Sequence, residues 1–180
     1  TQDFANTNKI ALTPGSTAKD LGFAWYSNTK GTPAVMVWKD GSKAGAQIVK
    51  GTATDISAEN WQGEVYAASN KVSINGFFEP DTKYVYQYTD NYSDNGDTVW
   101  SAEYTYTTHA TDTFSVILTG DPQIGASGSK SDKDANDMSI AQDAYNWNKT
   151  MQKAMEIDPD ASFLLSAGDQ INESNAGSEE

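Results

Sequence analysis

Two short apolar runs near the C-terminal end of the chain each finish in a Gly-Asp pair, and this repetition constrains the fold more than any other feature. The first pair, Gly120-Asp121, follows Phe114–Leu118, and the second, Gly168-Asp169, follows Phe163–Leu165. A helix-length segment separates the runs, and strands joined by such a crossover run parallel. Both carboxylates should therefore emerge at one edge of one sheet, where open parallel sheets bind their ligands.

The segment between the two runs has helical periodicity. Its larger apolar residues recur every three or four positions: Ile140, Ala144, Trp147, Met151 and Met155. This stripe predicts an amphipathic helix over Ile140–Glu156 that packs on the sheet and ends before Asp158-Pro159, since proline cannot continue a helix. The preceding Gly125–Ser131 contains the residue types of a phosphate-binding loop in the wrong spacing, so we expect a mobile loop there.

In the first half of the chain, apolar residues recur with the period of a β-strand instead of a helix. This half contains six or seven short apolar runs with strand periodicity, separated by turn sequences such as Asp94-Asn95-Gly96-Asp97. The predicted strands are Lys9–Leu12, Leu21–Tyr26, Ala34–Trp38, Ala46–Val49, Val72–Ile74, Tyr84–Tyr88 and Ala102–Tyr106. Strands of this length and number are typical of a β-sandwich, so the chain is predicted to be mainly β. Its tyrosines are assigned to sandwich packing rather than to a carbohydrate-binding platform.

Composition excludes several classes of function. The formal charge of −13 repels phosphate backbones, so nucleic-acid binding by charge is not expected. The absence of cysteine excludes disulfides, zinc–thiolate sites and thiol nucleophiles. No apolar run reaches the roughly 20 residues that cross a bilayer. The chain starts at Thr1 rather than at methionine, as either a mature exported protein or a trimmed fragment would, and a secreted or cell-surface location is the one we expect.

The sandwich region resembles fibronectin type III domains. The run Phe78-Glu79-Pro80-Asp81-Thr82-Lys83-Tyr84-Val85-Tyr86 is similar to that family's signature of an apolar residue, proline, threonine and two tyrosines at alternate positions. The resemblance covers about the first 110 residues and implies that Trp25 is the buried strand tryptophan and Tyr84 the corner tyrosine.

The order of the segments resembles the purple-acid-phosphatase branch of the calcineurin-like metallophosphoesterases. In that family a fibronectin-like sandwich precedes a strand ending in Gly-Asp, a crossover helix and a second strand ending in Gly-Asp. The resemblance implies that Asp121 binds one metal ion, that Asp169 bridges two, and that Asn172, three positions later, also lies at the site. Two such cations activate water and stabilise in-line displacement at phosphorus, so the implied reaction is phosphoester hydrolysis.

Two ligand positions depart from the family pattern. Many members have histidine where this chain has Gln123, which supplies only an amide for the metal or for a neighbouring ligand. Purple members have tyrosine where this chain has Asn172, so the implied enzyme should lack the purple iron–phenolate colour. The candidate metal ligands are therefore Asp121, Asp169, Asn172 and Gln123. Fe, Zn, Mn and Mg all remain possible as the two metals.

The family's third motif, Gly-Asn-His-Glu, and its later histidine ligands have no counterpart here. The one histidine, His109, lies at the predicted junction and is assigned to solvent contact rather than to the metal. We therefore expect an N-terminal portion of a longer enzyme, with a sandwich over residues 1–110 and the first β-α-β unit of an incomplete metallophosphoesterase domain over 113–180. The catalytic histidines are expected outside these 180 residues, and the chain alone is expected to be inactive.

Two functions remain open at this level. The first is the phosphoesterase, which would hydrolyse a small-molecule or surface phosphoester, either a monoester or a diester. The second is a non-catalytic extracellular adhesion or scaffold module, in which the fibronectin-like domain binds a partner. Nothing in the sequence decides the oligomeric state.

Overall fold

The structure is a computed structural model that describes residues 10–59, 63–128 and 133–172. Lys9 of the first predicted strand and the last eight residues of the second predicted domain lie outside that range. The described chain is mainly β, as predicted. It forms two compact units: residues 10–57 and 66–111 belong to the first, and residues 112–128 and 133–172, together with 58–59 and 63–65, are grouped with the second.

The first unit is a sandwich of two four-stranded antiparallel sheets. Its strands are β1 (Ala11–Pro14), β2 (Leu21–Ser27), β3 (Ala34–Lys39), β4 (Gln47–Lys50), β5 (Thr52–Glu59), β6 (Val65–Ile74), β7 (Lys83–Thr89) and β8 (Tyr104–Thr107). One sheet has the order β1-β2-β6-β5 and the other β4-β3-β7-β8. The chain therefore changes sheets three times, after β2, after β4 and after β6, as it does in immunoglobulin-like sandwiches.

The hydrophobic core lies between the two sheets. Alternate residues of β2 and β7 point into it because side chains alternate across a strand. The Phe23 ring meets the Tyr86 ring edge-on at 5.3 Å, and the Trp25 ring lies 5.1 Å from that of Tyr88. The core consists of Ile10, Leu21, Phe23, Trp25, Val35, Val37, Val72, Ile74, Phe78, Tyr84 and Tyr86. The tyrosines of β7 thus belong to the core or pack against it.

Tyr84 and Trp25 occupy the positions that the fibronectin-like pattern implies. Tyr84 is completely buried, and its hydroxyl accepts a hydrogen bond of 2.8 Å from the backbone N–H of Glu79, five residues upstream. That contact is the tyrosine corner of such sandwiches. The Trp25 ring is buried, and its Nε1–H donates to Asp90 Oδ1 at 2.7 Å. Each buried polar atom of these aromatic side chains therefore has a partner.

The strand predictions were incomplete in two places. The prediction missed β5 entirely and placed only Val72–Ile74 in β6, which starts seven residues earlier at Val65. β5 was missed because Ile56 is its one large apolar residue, as befits a strand at the edge of its sheet. The first, fourth and last predicted strands each begin one or two residues later than predicted, at Ala11, Gln47 and Tyr104.

The second unit is a strand-helix-strand unit. β9 (Val116–Thr119) leads into α1 (Lys133–Ile157), which is followed by β10 (Phe163–Ser166). The two strands are parallel, with Phe163 opposite Val116 and Ser166 opposite Thr119. The predicted parallel pair is confirmed, and so is the end of the helix before Asp158.

Two boundaries in this unit were wrong. The helix has 25 residues and begins seven residues before Ile140. The prediction missed these residues because Met138 is the one large apolar residue among them, so they carry no apolar stripe. β9 begins at Val116 rather than at Phe114, and the Phe114 ring instead stacks on the Phe163 ring at 6.3 Å.

Apolar side chains of the second unit remain exposed. Leu118 and Leu165, which are opposite each other on one face of the strand pair, expose 69% and 53% of their surfaces. Leu164, on the other face, exposes 46%. Among residues 113–128 and 138–172, none is buried. Within the same described part of the protein, no helix has both the length and the apolar character to span a membrane.

Candidate metal site at the ends of the parallel strands

The two loops that follow the parallel strands stay hydrogen-bonded to each other. The backbone N–H of Asp121 donates to the Gly168 carbonyl at 3.1 Å, and that of Gln123 donates to the Asp169 carbonyl at 2.9 Å. The close approach needs a small residue at position 120, because a Cβ on Gly120 would lie 3.2 Å from the Ala167 Cβ. The Gly-Asp pairs are therefore adjacent at one edge of the sheet.

The pairing extends to the fourth candidate residue. Ile124 donates to the Gln170 carbonyl at 3.0 Å and forms an isolated parallel bridge with Ile171. The N–H of Asn172 returns to the Ile124 carbonyl, also at 3.0 Å. Asn172 is exposed. The structure thus brings the backbones of all four predicted ligand positions into one pair of loops.

Three of these residues have an unusual backbone conformation. Among the described residues, four that are not glycine have φ in the left-handed region, and three of them are Asp121 (61°), Gln123 (43°) and Asp169 (50°). Such conformations cost of order 1–3 kcal/mol for each residue and are concentrated at functional sites. Aspartate tolerates this region better than most residues, but Gln123 has no such advantage. The surrounding contacts must hold this strain.

The side chains present oxygen atoms at the exposed end of the loops. Asp121 and Asp169 are both exposed, and Gln123 is half-buried. The Gln123 Nε2 atom lies 3.5 Å from Asp169 Oδ2, the long limit of a hydrogen bond. An amide that donates to a carboxylate orients it, and its own carbonyl oxygen remains free to accept or to bind a cation.

The donor set fits a hard cation better than a closed transition-metal site. Within the part of the chain that the structure describes, no three His, Cys, Asp or Glu side chains converge in a metal-binding group. Two carboxylates and two amides leave positions for water, as magnesium sites commonly do. The one histidine of the chain, His109, belongs to the first unit.

One further residue holds the first loop, and the sequence reasoning missed it. Asp143, in the middle of α1, accepts hydrogen bonds from the N–H groups of Gly125 (3.0 Å) and Ser127 (3.2 Å) through Oδ2, and from the Ser127 hydroxyl (2.6 Å) through Oδ1. The described part of the predicted mobile loop is therefore an anchored turn. No sequence signal separates Asp143 from other polar residues on the solvent side of the stripe.

The contacts to Asp143 also change its acidity. Burial alone would raise the pKa of this carboxyl, but hydrogen bonds from the Ser127 hydroxyl and from the N–H groups of Ser127 and Gly125 outweigh it, so the pKa is lowered. The charged form is the one that accepts all three bonds. Asp143 is therefore held as a carboxylate.

Comparisons with known proteins assign no family to the chain. No protein-family model matches it, and no curated protein is significantly similar to it. Eleven chains of solved structures match, among them the sensor domain of the anti-sigma factor RsgI4 in Pseudobacteroides cellulosolvens. That match has 19% sequence identity and a TM-score of 0.36, and it covers 59% of this chain and 93% of that one. At this level the similarity assigns neither a family nor a function.

Proposed function

We propose that this chain is the N-terminal part of a dinuclear metal-dependent phosphoesterase of the calcineurin-like type. The observation that carries the proposal is the pairing of two Gly-Asp loops at the carboxyl ends of adjacent parallel strands, with left-handed φ at Asp121, Gln123 and Asp169. Strained acidic residues at such an edge are better explained by a ligand than by stability, since the strain itself destabilises the fold.

The proposed roles follow from the donor atoms. Asp121 would bind one cation and Asp169 would bridge two, as the family resemblance implies, and their charges would offset those of the metals. Gln123, 3.5 Å from the Asp169 carboxylate, would orient it or add a neutral oxygen. Bound divalent or trivalent cations would supply Lewis acidity and an activated water for attack on a phosphoester.

The exposed apolar side chains of the second unit support the proposal that further structure covers it in the longer protein. A parallel sheet is normally covered on both faces, whereas Leu118, Leu165 and Leu164 are largely exposed here. The expected histidine ligands are also missing from the described second unit. We propose that further strands and the remaining ligands come from sequence beyond these 180 residues, in a secreted or cell-surface enzyme.

The coding sequence after Glu180 and the activity of the longer protein test this proposal. We expect a Gly-Asn-His motif followed by separated histidines, and hydrolysis of a chromogenic phosphoester in the presence of Mn²⁺. In that protein Asp169→Asn should abolish turnover and leave the fold intact, because a neutral amide cannot bridge two cations. Asp160→Asn, a change of the same charge at an exposed position after α1, should keep full activity.

Two results would overturn the proposal. A stop codon or further sandwich repeats after Glu180 would favour the adhesion or scaffold module. Retention of most metal content and most of kcat by the Asp169→Asn protein would exclude the bridging carboxylate.

A further inference from the structure

We propose that Asp143 is a positioning residue for the metal site: from helix α1 it holds the turn after Gln123 and so fixes the conformation of the loop that carries Asp121 and Gln123. The inference rests on the proposed function for its link to metal. Its structural part, that one helix carboxylate controls this loop, stands on the contacts alone.

The carboxylate is the meeting point of three donors from a single turn. Its two oxygens accept from two backbone N–H groups and one hydroxyl, all belonging to Gly125 and Ser127. Hydrogen bonds to a charged acceptor are about twice as strong as neutral ones. Asp143 lies well inside Lys133–Ile157, so its carboxylate is not the cap of its own helix. Its contacts are therefore directed at the loop.

The turn is joined directly to the strained ligand residues. The carbonyl of Gln123 accepts the Ala126 N–H at 2.9 Å, and the carbonyl of Gly125 accepts the Gly128 N–H at 3.1 Å. Gly125 has φ of +95°, and a Cβ there would lie 3.5 Å from Ile140 Cγ1 of the same helix. The turn is therefore bonded to α1 through Asp143 and to the ligand-bearing loop through the hydrogen bond between Ala126 and Gln123.

The loop is consequently held from two sides. On one side, Gln123 and Ile124 donate to the carbonyls of Asp169 and Gln170 in the second loop. On the other side, Asp143 holds the turn that follows. Left-handed φ at Asp121 and Gln123 persists only while neighbouring contacts over-determine it. Releasing the Asp143 side should therefore loosen the ligand-bearing residues as well as the turn.

Amide hydrogen exchange on the 180-residue chain tests the structural part. In Asp143→Asn, the side chain has one carbonyl oxygen and an amide donor in place of two acceptor oxygens. We expect exchange to become at least about tenfold faster at Gln123 and Ile124, besides Gly125 and Ser127. Asp160→Asn removes the same charge without a contact to this loop and should leave all four amides unchanged. Ser127→Ala removes one of the three bonds and should give a smaller effect of the same pattern.

Mn²⁺ affinity, followed by paramagnetic broadening of backbone amides, tests the link to metal. Loss of a residue that orients metal ligands typically weakens binding 10- to 100-fold, so we expect at least about tenfold weaker Mn²⁺ binding for Asp143→Asn than for Asp160→Asn. Equal affinities in these two variants would overturn the positioning role.

The two readouts separate the possible failures. Faster exchange confined to Gly125 and Ser127, with Gln123 and Ile124 unchanged, would show a merely local contact and overturn the inference. Absence of Mn²⁺ binding by the unmodified chain would count against the proposed function, whereas the exchange data would still decide whether Asp143 controls the loop. If Asp143→Asn unfolds the second unit, the same exchange and Mn²⁺ measurements on the milder Ser127→Ala variant decide whether this contact positions the loop.

Discussion

Among the described residues, those other than glycine with left-handed φ occur in two settings: a turn of the sandwich and the paired Gly-Asp loops. Asp81, with φ of 47°, lies in the turn just before β7 of the sandwich. Asp121, Gln123 and Asp169 lie in loops with little burial, where no core explains their strain. Backbone strain of this kind is expected at a ligand-binding site, and it is found here at three of the four proposed metal ligands.

The tyrosine corner gives a prediction at the same scale. Tyr84→Phe keeps the buried ring but leaves the partly buried Glu79 N–H without its acceptor. We expect the free energy of unfolding to fall by about 1–3 kcal/mol, the cost of an unsatisfied buried donor. Urea denaturation should show a lower midpoint with an unchanged slope.

Tyr92→Phe is the matched control for that variant. Its ring is half-buried, and among the described contacts its hydroxyl makes no hydrogen bond, while its ring lies 4.7 Å below the Lys50 ammonium. We expect a change within about 0.5 kcal/mol. Equal effects of the two substitutions would show that the Tyr84 hydroxyl contributes nothing at the corner.

The roles of some single residues could be predicted from the sequence, and those of others could not. Tyr84 was identifiable because its spacing from Pro80 and Thr82 forms a motif, and Trp25 because it lies in an apolar run with strand periodicity. Asp143 was not identifiable, since its partners lie 16 and 18 residues away and nothing local marks it. Left-handed φ at Gln123 was equally hidden, because glutamine carries no preference for that conformation.

At the scale of elements, strands and helices were predicted correctly where one buried face gives the sequence a regular spacing of apolar residues. They were missed where no such face exists. β2 and β7 have one face in the core, so their alternation was readable. β5 lies at a sheet edge and is built from small and polar residues, so no alternation of apolar residues marks it. The first seven residues of α1 contain a single large apolar side chain, Met138, so no apolar stripe marks them and the predicted helix started only at Ile140.

The connection between β4 and β5 gives a prediction at this scale. Gly51 crosses from one sheet to the other against β6, and a Cβ there would lie 2.0 Å from the Lys71 carbonyl oxygen and 2.6 Å from Val72 Cγ2. Because a strand backbone cannot move aside easily, Gly51→Ala should destabilise the sandwich by about 1–3 kcal/mol or more.

Gly45→Ala provides the comparison for Gly51→Ala. The nearest atom to a Cβ at Gly45 is Ser42 Oγ at 3.9 Å, so we expect a change of no more than about 0.5 kcal/mol. Denaturation midpoints of both variants, measured side by side, check the prediction. A stable Gly51→Ala protein would mean that the β4–β5 connection can shift away from β6.

At the scale of the whole molecule, the two units differ in how much apolar surface they bury. The sandwich has a continuous core of buried aliphatic and aromatic side chains. The described second unit has two short parallel strands and a helix, with large apolar side chains exposed at Leu118, Ile157 and Leu165. Two short strands and one helix give this unit little buried apolar surface, so we expect it to be less stable than the sandwich.

This difference predicts that the 180-residue chain by itself is inactive. Two carboxylates and two amides can hold a hydrated hard cation weakly, but they do not complete a dinuclear site. After dialysis, metal analysis should find less than one tightly bound ion per chain, and a chromogenic phosphoester should not be hydrolysed. Two retained ions per chain with measurable turnover would show that the chain already supplies the ligands we assign to additional sequence.

The position of weakly bound Mn²⁺ on the chain shows whether the two Gly-Asp loops hold a metal ion. We expect substoichiometric Mn²⁺ to broaden selectively the amide signals of 121–125 and 168–172, and we expect Asp169→Asn to remove the effect while Asp160→Asn preserves it. Broadening spread over the acidic surface, or unchanged in the Asp169→Asn chain, would contradict a metal site at the ends of the parallel strands.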